Sequence, residues 1–151
     1  ESRIPEARRP IERVFLEPEG VRAYPGAVRA LLDADLIVVG PGSLYTSILP
    51  NLLVRDIAEA LKASRALKVY VCNVATQPGE TDGFSVQDHV RVLEEYVGQG
   101  VFSLVLANSN TSFPLPAYTQ SERRNPWRHD AERLAETLLS LYADWKASAA
   151  S

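Results

Sequence analysis

Gly40 and Gly42 flank Pro41, and Ser43, Tyr45, Thr46 and Ser47 follow directly. The cluster stands between an apolar run, "DLIVVG", and a long periodic segment beginning near Ile48. Glycines let backbone amides approach a ligand, and the start of a helix offers unpaired N–H groups to an anion. Ser43, Thr46 and Ser47 can add hydroxyl donors. A dinucleotide fingerprint needs a third glycine where Tyr45 stands, and a phosphate-binding P-loop needs a Gly-Lys-Ser/Thr step that is absent. Local pattern leaves two readings open, a tight strand-to-helix turn and a cradle for an anionic ligand.

A second polar cluster, "NVATQPGETDG", runs from Asn73 to Gly83. Asn73, Thr76 and Gln77 offer neutral hydrogen-bonding groups. Glu80 and Asp82 could hold a cation or act as a base, but Pro78-Gly79 and Asp82-Gly83 favour a solvated turn. Arg128 could pair with a phosphate beside His129, although a solvent-facing helix start explains both more simply. His89 lies next to an apolar stripe and reads as a packing residue rather than a ligand.

These residues need elements to hold them. "IERVFLE" between Pro10 and Pro18 reads as a strand. A short helix begins at Pro25, which suits a first helical position. "DLIVVG", "LKVYVCNV" from Leu67 and "VFSLVLAN" from Val101 read as strands buried on both faces. Between the first two, apolar residues at helical spacing predict an amphipathic helix from about Thr46 to Ser64, with Pro50 in its first turn. Ser85 caps a helix whose stripe is Val86, Val90, Leu93 and Val97, and Asp130 caps a final helix carrying Leu134, Leu138, Leu141, Tyr142 and Trp145. Strands alternating with helices predict an α/β class with a mostly parallel sheet, whose ligands collect beyond the carboxyl ends of the strands. The loops after Val39, Asn73 and Asn108 lie there.

The chain has 151 residues, 46% apolar, with net charge −3, which suits a soluble globule and argues against general nucleic-acid binding. No run has the length of a membrane span, so no membrane partner is expected. Cys72 is the sole cysteine and reads as a buried reduced thiol, in keeping with a cytoplasmic protein. One Cys and two His cannot close a structural zinc site, and no metal site is assigned. The chain has no methionine and starts with Glu1, as expected for a processed chain or a piece of a longer one.

"ADLIVVGPGSLYTSILPNLLV", "VYVCNVATQPGETDGFSVQDHV" and "RHDAERLAETLL" together resemble the gluconeogenesis-factor (YvcK-type) family, sister to 2-phospho-L-lactate transferase (CofD-type). The similarity runs along nearly the whole chain and is weakest between Ser109 and Trp127. Ala75 departs from the methionine usual at that position. The resemblance implies a Rossmann-like fold, of which this chain would be a single α/β domain or the carboxy-terminal part of a longer one. It implies a UDP-sugar ligand and a role in carbon metabolism and cell-shape or envelope control. The sister branch implies a phospholactyl transferase acting on a deazaflavin acceptor, with magnesium that Glu80 or Asp82 would help hold. On the first reading Gly40, Gly42, Ser43, Tyr45, Thr46 and Ser47 receive the anionic or sugar portion. Asn73, Thr76 and Gln77 line the facing wall, and Arg128 touches a phosphate. Catalytic residues are unassigned. An interrupted parallel sheet leaves an edge and apolar faces that favour a homo-oligomer.

Overall fold

A computed structural model describes residues 11–108 and 129–149. The chain divides into two compact units, Glu1–Tyr118 and Thr119–Ser151.

In the first unit, helix α1 (Pro25–Asp33) precedes strand β1 (Leu36–Val39). A π-helical turn (Leu44–Ile48) then leads into α2 (Leu49–Leu52) and α3 (Arg55–Ala63). Strand β2 (Leu67–Val71), helix α4 (Val86–Val97) and strand β3 (Leu104–Leu106) follow. The sheet has the order β1-β2-β3 and is parallel throughout, with Leu36 opposite Leu67 and Val71 opposite Leu106. All three strands therefore deliver their carboxyl ends to one edge.

β2 is the centre. Val69, Tyr70 and Val71 are fully buried, as a parallel strand covered on both faces requires. Leu44, Leu49 and Leu61 reach the core from the helices after β1, and Leu93 and Val97 reach it from α4. Each such side chain contributes about 1.5–3 kcal/mol on leaving water. Cys72 is buried, and burial pushes its thiol above the usual range. The same cause raises the hydroxyl of Tyr70, whose ring packs on Phe102 at 5.7 Å.

The helix boundaries agree with the capping residues. Pro25 opens α1. Ser85 caps α4 by accepting from the Asp88 amide, and Asp88 accepts in return from the Ser85 amide. His89 is buried in α4, with Nδ1 2.8 Å from the Ser85 carbonyl.

Four expectations are corrected. Residues 11–17 form no strand. Ile11 and Val14 lean on the core without alternation, and the Val14 amide donates to the Tyr96 hydroxyl at 3.2 Å instead of to a sheet. The helix expected over 46–64 is three pieces. Ile48 donates to Ser43 O in π register, and Leu49 donates to Leu44 O. Pro50 has no N–H to continue that register, so the winding changes there. Val54 is extended and restarts the chain as α3. β1 is not buried on both faces, because Ile37 is buried while Val38 is 40% exposed. β3 likewise exposes Leu104 and Val105, since it meets β2 on one side only among the described residues.

The second unit contributes α5 (Ala131–Ala149). The Asp130 carboxylate accepts from the amides of Glu132 and Arg133, as the cap reading required. Leu134, Leu138, Leu141, Tyr142 and Trp145 share its less exposed face, and Tyr142 stacks on Trp145 at 6.1 Å. No helix among the described residues is long and apolar enough to cross a membrane.

Candidate functional site

The loops after β1 and β2 leave the same edge of the sheet and meet. Asn73 makes the junction. Its Oδ1 accepts from the Gly42 amide at 3.0 Å, and its Nδ2 donates to the Gly42 carbonyl at 2.8 Å. One side-chain amide thus clasps both backbone groups of one residue. Asn73 Nδ2 also lies 3.4 Å from Gln77 Oε1, which ties the second loop into the clasp.

The two glycines do different work. Gly40 has φ +87°, and a Cβ there would lie 2.6 Å from the Val71 carbonyl oxygen. Its lack of a side chain lets β1 and β2 end side by side. The Gly40–Pro41 peptide is cis. Gly42 does not have a positive φ, and a Cβ there would meet Ile48 and Ser47 at an ordinary 3.6 Å. Nothing in the fold demands glycine at 42.

Ser43 caps the π turn, its hydroxyl accepting from the Thr46 amide at 3.4 Å. That hydroxyl donates to Glu80 Oε2 at 2.5 Å and lies 2.5 Å from Thr46 Oγ1. Ser43 has a single proton and Glu80 takes it, so Thr46 is the donor between the two hydroxyls. The chain of donation runs from Thr46 through Ser43 to a carboxylate.

Glu80 comes back to Ser43 because the second loop folds on itself. Thr81 and Glu80 donate from their amides to Gln77 O, and the fully buried Thr81 hydroxyl accepts from the Gln77 amide at 2.8 Å. Asp82 braces the same loop by accepting from the Gly79 amide at 2.6 Å. The Pro78-Gly79 step was the available signal for this reversal. The distance in sequence between residues 43 and 80 hid its target.

The remaining predicted residues are distributed as follows. Ser47 is exposed and lines a mainly apolar cavity of about 340 Å³, together with Gly40, Gly42, Ile37, Ile48 and Leu52. Asn51, which sequence reading left aside, lines it too, and its amide donates to the Ser47 carbonyl at 2.7 Å. A cavity of this size is at the lower end of small-molecule sites. Tyr45 turns into the core, its ring edge-on to Phe84 at 6.4 Å, and burial raises its hydroxyl above the ordinary value. Thr76 is half-buried on the second loop, without a hydrogen bond to the glycine turn. Arg128 lies outside the described residues.

The electrostatics follow from Glu80. No Lys or Arg pairs with it among the described residues. Those residues also contain no group of three His, Cys, Asp or Glu side chains able to hold a metal ion.

The chain is similar to several known proteins. The profile of a family described as 2-phospho-L-lactate transferase CofD matches residues 1–144. The gluconeogenesis factor of Listeria innocua is 56% identical over 111 residues, covering 74% of this chain and 34% of that protein. The gluconeogenesis factor of Bacillus subtilis is 51% identical over 145 residues, covering 95% of this chain and 46% of that protein. A crystal structure of a Bacillus halodurans protein superposes with TM-score 0.69 at 47% identity, over 76% of this chain and 36% of that one. The chain thus spans less than half the length of these relatives.

Proposed function

The chain belongs to the 2-phospho-L-lactate transferase (CofD) family and has gluconeogenesis factors as relatives, and on that premise we propose that it is a UDP-sugar-binding regulatory protein. Its role is in carbon metabolism and in cell-shape or envelope control, within the cytoplasm. The observation that carries this reading is the clasp of Asn73 on Gly42. It joins two polar loops at the carboxyl edge of a parallel sheet, which is where such sheets bind ligands. The joined loops offer the side chains of Ser47, Thr76 and Gln77 to a ligand, and Ser47 lines a cavity apolar enough for a ring. Tyr45 supports the turn from within, and Gly40 lets the strands close beneath it. Calorimetry of the full-length protein with UDP-N-acetylglucosamine tests the proposal. Saturable heat is expected, and none at millimolar ligand rejects it.

The description of the matching family favours a second reading, a transferase moving a phospholactyl group from an activated donor to a deazaflavin acceptor. Turnover with that acceptor distinguishes it from a regulator, which forms no product.

A further inference from the structure

We propose that Glu80 reads the hydroxyl groups of the ligand's sugar, an inference that rests on the nucleotide-sugar reading above. Glu80 takes the Ser43 proton at 2.5 Å, and Ser43 takes the Thr46 proton at 2.5 Å. Neither hydroxyl keeps a proton for a phosphate oxygen. The hydroxyls that looked like anion donors therefore point at an anion of the protein's own.

Glu80 itself is under-used. A carboxylate offers about four lone-pair positions. The Ser43 hydroxyl fills one, and no other side chain among the described residues donates to it or forms an ion pair with it. The residue is half-buried, so it is within reach of a ligand at this edge of the sheet. A phosphate placed there would meet like charge. A ligand that brings O–H donors matches the vacant lone pairs, and a pair of neighbouring hydroxyls can engage a carboxylate through two charge-assisted hydrogen bonds.

The layout separates two roles. The cavity beside β1 is lined by Gly40, Gly42 and Ser47, whereas Ser43, Thr46 and Glu80 form a hydrogen-bonded row outside that lining. Glu80 is held toward the row by the Gln77–Thr81 turn, so its orientation does not depend on the ligand.

The test is calorimetry of full-length wild type, Glu80→Gln and Glu80→Ala with UDP-N-acetylglucosamine and with UDP, each with magnesium and with EDTA. The Gln side chain can still accept from Ser43 but lacks the charge. Wild type should prefer the sugar-bearing ligand. Glu80→Gln should cut that preference by about tenfold or more, the scale of a lost hydrogen bond to a charged group, and Glu80→Ala at least as much. UDP affinity should stay within about twofold in both variants, a difference too small to register as a lost hydrogen bond. Equal weakening of both ligands would overturn the proposal in favour of a purely structural carboxylate. A loss seen only with magnesium would overturn it in favour of a cation contact, and an unchanged preference would overturn it outright. If wild type binds neither ligand, the nucleotide-sugar reading itself has failed.

Discussion

Replacing Gly40 by Ala should damage the fold, while the same change at Gly42 should not. Gly40 sits at φ +87°, a conformation that costs an L-residue about 1–2 kcal/mol. The added Cβ would fall 2.6 Å from the carbonyl oxygen of Val71, and Val71 is fully buried at the end of the central strand. That contact is with backbone, so no side chain can swing aside, and overpacking of this kind costs about 1–3 kcal/mol. The combined penalty of about 2–5 kcal/mol is a large share of the 5–15 kcal/mol typical of a folded domain. At Gly42 the Cβ would find ordinary contacts of 3.6 Å and no positive φ. Urea unfolding followed by circular dichroism reads the difference. With a slope of about 1–3 kcal/mol per molar urea, Gly40→Ala should lower the midpoint by roughly 1–2 M. Gly42→Ala should stay within a few tenths of a molar of wild type, because surface-like changes cost about 0.5 kcal/mol or less. Equal midpoints for the two variants would refute the assignment of separate roles.

Asn73→Ala removes both hydrogen bonds to Gly42 and should cost about 1–3 kcal/mol, read as a lowered urea midpoint, because the half-buried backbone groups lose their partner. The Asp88 carboxyl is held below its ordinary 3.8, first by hydrogen bonds from the Ser85 hydroxyl and amide and then by Arg91. A carboxyl depressed by folding adds stability above its unfolded value and loses it as pH falls through the lowered one. Thermal melts between pH 5 and pH 2 should therefore show an acid-side loss that Ser85→Ala flattens, as about the carboxylate range dictates. The edge of β1, unpaired on one side among the described residues and with Val38 40% exposed beside an apolar cavity, should drive self-association. Light scattering of this chain at high concentration should give more than the monomer mass, and a clean monomer would count against it.

Much of the fold was legible because its signals are local. β2 reads as a run of apolar residues wherever it is placed, and Pro25, Ser85 and Asp130 mark helix starts by chemistry that acts within one turn. The failures share a different cause. Residues 11–17 have strand-like composition but pair with neither edge of the described sheet, and the Val14 amide goes instead to the hydroxyl of Tyr96, far along the chain. The break at Val54 carries neither glycine nor proline. At the site, residue types were read correctly as polar and hydrogen-bonding, but their partners were not. Asn73 looked like a wall of the pocket and serves as a clasp, and Tyr45 looked like a ligand contact and lies in the core. Glu80 joins Ser43 through a loop reversal that Pro78-Gly79 marks but whose target no spacing rule announces. The family, by contrast, was legible in long ungapped motifs, and the matching profile extends over residues 1–144.

The central claim is that the glycine turn receives a nucleotide sugar. Ser47 tests it most directly, since it is exposed, lines the cavity, and its side chain makes no hydrogen bond that the fold requires. Full-length Ser47→Arg should unfold at the wild-type urea midpoint and fail to bind UDP-N-acetylglucosamine in calorimetry, because the long side chain fills the cavity mouth. A variant that folds normally and binds this ligand with wild-type affinity would contradict the account.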